Sequence, residues 1–339
     1  MKKFFKVLGI LILILVILAI IAVGSGYFFI RGKLSKMQQV DIDENNLNVS
    51  QAVAENLSGY RNIAIYGVDS RDSDLGEGNR SDCIIIASIN NDTKEINLIS
   101  VYRDTYVDID GYGLDKITHA YAYGGPELAL KTLNENLDLN VTEFVTVNFD
   151  AVADAVNALG GIEINIESDE VEALNSVISD TSKHTGMTSD FITEPGIQTL
   201  DGVQAVSYAR IRHTDGGDYR RTERMRTVIE AMFEKLKTKS LGEINDLADQ
   251  ILPEIYTNIG PDEIIMLAPT ILQYEINESI GWPYDVEGIT LDLWYGVPVT
   301  LESNVKELHM EAFGEESYTP SEAVQEISDR IIERTGYSE

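Results

Sequence analysis

Six arginines (Arg210, Arg212, Arg220, Arg221, Arg224 and Arg226) crowd one stretch of a 339-residue chain whose formal net charge is −30. Three acids share that stretch, Asp215, Asp218 and Glu223, so the local sign is inverted to positive. A guanidinium presents forked donors that match paired phosphate or carboxylate oxygens. The stretch therefore expects an anionic ligand. If a helix begins near Asp218, Arg221 and Arg224 share a face that Arg220 partly overlaps. The plain alternative is a solvated helix face, and the one-sided concentration of a single sign argues against it.

Three smaller charged groups interrupt the ends of apolar runs: Gly67-Val-Asp69-Ser70-Arg71, Arg80-Ser81-Asp82 and Arg103-Asp104. A lone Asp or Ser after a strand is ordinarily a turn residue that bonds its own backbone. Three such groups at the ends of neighbouring strands point to a site. Asp69 and Asp82 offer hard oxygens to magnesium, which takes few protein ligands and keeps its waters. Arg71, Arg80 and Arg103 would join Arg210, Arg212, Arg221 and Arg224 around an anion. A metal held by carboxylates beside converging arginines is the chemistry of phosphoryl transfer, in which positioning and charge neutralisation do most of the catalysis. No G-x-x-x-x-G-K-[ST] loop is present, which argues against ATP or GTP bound by that device. Asp104 reads either as an orienting partner for Arg103 or as a general base, and His213 either as a base or as a local turn residue. The four histidines (119, 184, 213 and 309) suggest no base for the single cysteine, and Cys83 reads as a small core hydrophobe.

Several elements must position these groups. Asn62–Val68 and Cys83–Asn90 read as buried strands, and the turn cluster Asn90–Lys94 leads to a third, Glu95–Tyr102, so an antiparallel hairpin within a larger sheet is expected. Pro126–Leu137 reads as a helix, Glu143–Asn148 as a strand, Ala151–Leu159 as an amphipathic helix closed by Gly160-Gly161, and Ile162–Ile166 as a strand. Asp201 followed by Gln204 forms a capping-box pattern at a helix start. Residues 168–194 read as a polar surface insertion without chemistry, 241–280 as largely helical, Trp294–Val299 as a short strand, and Thr319-Pro320-Ser-Glu322 as the cap of a last helix. The fold class expected is α/β, or mixed α+β, with helices packed on a central, mostly mixed sheet.

Ahead of the sheet, residues 7–30 are an uncharged apolar run, long enough to cross a hydrocarbon core of roughly 30 Å as a helix. A cleavable signal peptide, with small residues at Ala19, Ala22 and Gly24, would have an apolar region of only about 7–15 residues. Lys2, Lys3 and Lys6 balance Arg31, Lys33 and Lys36, and the free N-terminus tips the orientation towards N-inside. The division expected is a cytoplasmic N-terminus (1–6), a single-pass membrane anchor (7–30), a polar stalk (31–60) and one extracellular domain (61–339), with a motif core to 240 and a helical extension over 241–339. One cysteine suits an exported domain that needs no internal disulfide.

Taken in order, Gly67-Val-Asp-Ser-Arg71, Arg80-Ser-Asp82, Arg103-Asp104, Asp115-Lys-Ile117 with Ala120-Tyr121 and Gly124-Gly125, Ala158-Leu-Gly-Gly161, and Asp201-Gly through Arg224 resemble the LytR-CpsA-Psr family. Each motif is weak alone; the ordered set over roughly residues 60–240 is specific. The resemblance implies an extracytoplasmic transferase that takes a glycopolymer (teichoic acid, capsule or another anionic glycan) from a polyprenyl-pyrophosphate carrier and joins it by a phosphodiester to peptidoglycan. By the same resemblance Asp69 and Asp82 would hold magnesium and Arg80, Arg103, Arg210, Arg212 and Arg221 would grip the pyrophosphate, while an apolar core receives the polyprenyl tail. Two residues depart from the family pattern. Met225 stands where Gln is usual after the last arginine, which would remove a phosphate-contacting amide, and Tyr102 stands where Pro commonly precedes Arg-Asp. A non-catalytic carrier-lipid binding protein and a hydrolase using the same residues are the neighbouring alternatives. A nucleic-acid-binding regulator is disfavoured by the net charge, which repels a polyanion, and by the anchor.

Overall fold

The computed structural model describes residues 27–70, 74–212, 217–267 and 274–338. The expected anchor lies outside them except for residues 27–30, which open helix α1 (Tyr27–Leu34). Arg71 and His213 also lie outside. Among the described residues no helix is long and apolar enough to cross a membrane.

A central mixed sheet of seven strands has the order β1-β10-β7-β2-β3-β4-β11. Its members are β1 (Gln38–Gln39), β2 (Tyr60–Val68), β3 (Ser81–Asn90), β4 (Glu95–Val101), β7 (Glu143–Asn148), β10 (Tyr256–Thr257) and β11 (Glu275–Trp282). Three two-stranded sheets accompany it: β5 (Tyr106–Ile109) with β6 (Gly113–Lys116), β8 (Ile162–Ile166) with β9 (Gly196–Leu200), and β12 (Val286–Thr290) with β13 (Trp294–Pro298). The expected hairpin is β3 and β4. Asn90 Oδ1 accepts from the N–H of Asp92 (2.9 Å) and of Thr93 (3.0 Å), and Lys94 takes a left-handed φ of 64°, so the turn residues reverse the chain by themselves. β3 is buried along nearly its whole length, which explains its unbroken apolar run.

The chain divides into two compact units, one of residues 1–40, 65–75 and 145–273, the other of 41–64, 76–144 and 274–339. This differs from the expected single domain over 61–339, because each unit draws its core from segments far apart in sequence.

The first unit carries α1, α4 (Phe149–Ala158), α5 (Glu170–Thr185), α6 (Gly202–Arg210), α7 (Gly217–Lys237), α8 (Leu241–Ile251) and α9 (Pro261–Leu267). α4 is capped by Asn148, whose Oδ1 accepts from Ala151 N–H at 3.0 Å. α6 has the full capping box expected of Asp201 and Gln204. The segment 168–194, expected as a surface insertion, holds the sixteen-residue α5 instead; Leu174, Ile178 and Thr181 recur at helical spacing and are buried. The charged and hydroxyl residues between them masked that period.

The second unit holds α2 (Gln51–Asn56), α3 (Ile117–Leu137), α10 (Leu301–Phe313) and α11 (Glu322–Thr335). α3 bends at Gly124 and Gly125, the latter at φ 63°, and Pro126 restarts it. α11 is capped by Ser321 rather than Thr319, because Asp138 captures Ser321 through its N–H (2.7 Å) and its hydroxyl (2.6 Å). Leu34, Met37, Leu47, Val53 and Leu57 are buried, so residues 31–60 are folded against their units rather than forming a free stalk. Residues 241–280, expected as largely helical, also include β10 and most of β11; the latter is an edge strand studded with Glu and Asn, whose polarity hid its alternation.

Candidate functional site

In the second unit the hairpin register does the positioning. Ile84 faces Val101 across β3 and β4, and continuing that antiparallel register by two residues sets Asp82 opposite Arg103. The side chains meet: Arg103 Nη1 donates to Asp82 Oδ1 at 2.6 Å and Nε to Asp104 Oδ2 at 3.3 Å. Lys116, at the end of β6, donates from Nζ to Asp104 Oδ1 at 2.9 Å. Asp82 is 6% exposed and Asp104 9%, so these charges are compensated in a shielded setting. Arg80, next to this group in sequence, is exposed and makes no ion pair among the described residues.

Tyr102, the departure from Pro, fits its place. Its N–H donates to Trp282 O at 2.9 Å, a bond that proline could not make. Its ring is received by Gly281, where a Cβ would come within 2.3 Å of the tyrosine hydroxyl oxygen.

Beside Lys116 stands a group that the sequence reading missed. His119 Nδ1 lies 2.8 Å from Asp115 Oδ2, and Tyr123 donates its hydroxyl to the same oxygen at 2.8 Å. The bond to Asp115, ahead of burial, pushes the Tyr123 pKa up to about 12, while Arg80 pulls it down. The i, i+4, i+8 spacing of Asp115, His119 and Tyr123 was the available signal.

In the first unit Asp69 follows β2 with its side chain 49% exposed, its Oδ1 3.8 Å from His184 Nε2. His184 packs edge-on against Phe149, and Arg210 lies over the same ring at 5.0 Å. Arg210 also donates to Asp180 Oδ2 (2.9 Å) and Thr181 Oγ1 (3.0 Å). Burial raises the carboxyl pKa of Asp150, on α4, against the pull of His184, and Asp154 and Asp69 add to the rise. Both His184 and Asp180 belong to α5, in the segment expected to carry no chemistry.

The arginines of α7 divide. Arg224 is 2% exposed and donates from Nε to Glu170 Oε1 at 2.6 Å, so its charge is spent inside the protein. Arg221 is also 2% exposed. Arg220 pairs with Glu167 at 3.0 Å on the surface, and Arg212 is exposed with no ion pair among the described residues. Met225 is fully buried, so at the second departure from the family pattern the side chain fills the core. The structure thus brings Asp82, Arg103 and Asp104 together in one unit, and sets Asp69 and Arg210 about a shared His184–Phe149 pair in the other.

Fold and side chains together define a mixed α/β protein with arginine–carboxylate clusters in each of its two units. The chain belongs to the LytR_cpsA_psr family, whose profile matches residues 25–292. It is 32% identical over 297 residues to the polyisoprenyl-teichoic acid–peptidoglycan teichoic acid transferase TagT of Bacillus subtilis (strain 168), covering 85% of this chain and 89% of the relative. It is 33% identical over 270 residues to the corresponding TagU of Enterococcus faecalis (strain ATCC 700802 / V583), covering 79% and 82%. Among solved structures it matches the LytR-CPS2A-psr family protein YwtF (TagT) with bound octaprenyl pyrophosphate lipid, with a TM-score of 0.53 and 25% identity over 83% of this chain and 92% of that one.

Proposed function

We propose that this chain moves an anionic glycopolymer from a polyprenyl-pyrophosphate carrier onto a peptidoglycan sugar, forming a phosphodiester. The observation that carries this reading is the chain of contacts Asp82–Arg103–Asp104–Lys116, in a family whose relatives bear the names of such transferases. A peptidoglycan hydroxyl oxygen attacks the glycan-side phosphorus, the bond from that phosphorus to the bridging oxygen breaks, and polyprenyl phosphate leaves. Negative charge grows on the departing oxygens, and preorganised cations stabilise it most where they need not reorient. Arg103, fixed between two carboxylates, supplies such a cation. Asp104 accepts from both Arg103 and Lys116, which suits it to orienting them better than to taking a proton. Arg80, exposed in the same unit, serves as a further grip for the pyrophosphate; for Arg210 and Arg212 that role rests on the family resemblance alone.

Magnesium is the ion for which hard carboxylate oxygens with few protein ligands would serve. Asp69 is half-exposed, and Asp82 gives one oxygen to Arg103. Among the described residues no three His, Cys, Asp or Glu side chains gather in a group that could hold a metal ion. Asp69 and Asp82 are the carboxylates that the family resemblance offers it, and when bound it would neutralise diphosphate charge. Residues 7–30 serve as the single membrane anchor, with the folded residues on the outer, cell-wall side.

The test is incubation of the full chain in detergent with a short-chain polyprenyl-pyrophosphate glycan and peptidoglycan oligomers, with magnesium or EDTA, and products read by mass. A magnesium-dependent glycan–phosphate–peptidoglycan adduct is expected. Lipid phosphate released without an adduct would mean hydrolysis, and lipid bound but unchanged would mean a carrier-binding protein.

A further inference from the structure

Beside the Arg103 cluster, wholly within the second unit, lies a cleft of 840 Å³, inside the roughly 300–1,000 Å³ of small-molecule sites. Four tyrosines line it (Tyr106, Tyr112, Tyr123 and Tyr295) with Asp115, His119 and Asp292 among the polar groups. Tyr112 sits at the tip of the β5–β6 hairpin between Gly111 and Gly113, both at φ 79°, so the turn is built to hold that side chain outward. One face of its ring rests on Tyr123 at 4.3 Å and 12°, and the residue remains 56% exposed. A stacked, half-open aromatic ring is a platform for the C–H face of a pyranose.

The charges that line the cleft balance one another. Arg330 is tied to Asp108 by two bonds (2.9 and 2.8 Å) and Lys116 is tied to Asp104. Arg334, also on the wall, reaches the Tyr106 hydroxyl and Asp292, so the two arginines of the lining are matched by the carboxylates of Asp115 and Asp292, and the hydroxyls and charges do not suit an aliphatic tail. A neutral polyhydroxylated ligand fits both conditions. The His119 Nδ1 contact to Asp115 sets the tautomer that leaves Nε2 as an acceptor, and Nε2 has no hydrogen-bond partner among the described residues. The cleft adjoins the Arg103 cluster through Lys116, whose Nζ bonds Asp104 and stands 5.6 Å from the Tyr295 ring centroid.

We propose that this cleft holds the acceptor sugar, stacked on Tyr112 and presenting one hydroxyl to His119 Nε2; the assignment rests on the transferase reading above. As the hydroxyl oxygen bonds to phosphorus and the bond to the departing polyprenyl phosphate breaks, the hydroxyl proton passes to Nε2. Asp115 is then a positioning residue that steadies the imidazolium.

The experiment uses the full chain in detergent and a peptide-free peptidoglycan tetrasaccharide, with binding measured by calorimetry and transfer followed by mass. Tyr112→Ala, at an exposed position, is expected to weaken tetrasaccharide binding by about tenfold and to raise the acceptor KM with kcat retained. His119→Gln is expected to lower kcat by about 10²-fold or more at little changed acceptor affinity. Unaltered tetrasaccharide binding and acceptor KM in Tyr112→Ala, with transfer intact, would overturn the cleft assignment and leave the transferase reading standing. A wild-type protein that binds the tetrasaccharide but transfers nothing, with that binding weakened in Tyr112→Ala, would uphold the sugar site and sink the transferase reading.

Discussion

Glu170→Gln is the most informative single substitution in the first unit. Glu170 and Arg224 are 3% and 2% exposed and bonded at 2.6 Å, and the other Glu170 oxygen accepts from Glu167 N–H at 3.0 Å. Glutamine keeps the shape but turns one of the two oxygens into an NH2 group. That group must then face either the Arg224 guanidinium or the Glu167 N–H, and both are donors. The arginine charge also loses its buried counterion. Removing one partner of a buried pair costs about 3–5 kcal/mol, because the remaining charge stays desolvated. At about 2–4 °C per kcal/mol, the melting transition of the unit should fall by about 6–20 °C. Scanning calorimetry measures it. The double variant Glu170→Leu/Arg224→Met, which removes both charges, should recover most of the loss. A Glu170→Gln protein that melts within a degree or two of wild type would refute the argument, because Arg224 would then have access to water and be available to a phosphate.

Three further outcomes follow from named contacts. Arg103→Ala should cut transfer by about 10²–10³-fold with the far-ultraviolet circular dichroism unchanged; undiminished transfer would remove Arg103 from the site. Burial, with Asp154 and Asp150 nearby, pushes Glu254 up to about 7 from an ordinary 4.5, so the native state binds its proton more tightly than the unfolded chain and stability falls as pH rises between those values, by about 3 kcal/mol in all. Glu254→Gln should remove that decline and melt higher than wild type above neutral pH, whereas parallel pH profiles of the two melting temperatures would contradict it. A Cβ on Gly202 would come within 2.1 Å of Ala153 O, a backbone atom of α4, so Gly202→Ala should cost about 3 kcal/mol or more in urea denaturation; a neutral result would mean that α4 and α6 separate easily.

The meeting of Asp82 with Arg103 was legible because it depends on local order. Two apolar runs of known length joined by an Asn–Asp turn can pair in few ways, and the pairing sets one charged strand end beside the other. The capping box at Asp201 was legible for the same reason, since donor and acceptor lie three residues apart. His119 escaped although it lies four residues from Asp115, because the helix expected here began only at Pro126, whereas α3 already starts at Ile117. α5 escaped because polar residues outnumber the few apolar ones that it buries.

Residue types and their order alone determined that this chain builds a mixed α/β sheet, concentrates arginines at one place and carries the motifs of its family. Tertiary structure decided what each arginine does. Arg224 and Glu170 lie fifty-four positions apart, and no local pattern tells whether a guanidinium at that distance will meet a carboxylate inside the protein or be left for a ligand. Packing settles this, since a buried charge must find its counterion wherever the fold brings one, while an exposed charge such as that of Arg80 or Arg212 keeps its donors for the solvent side.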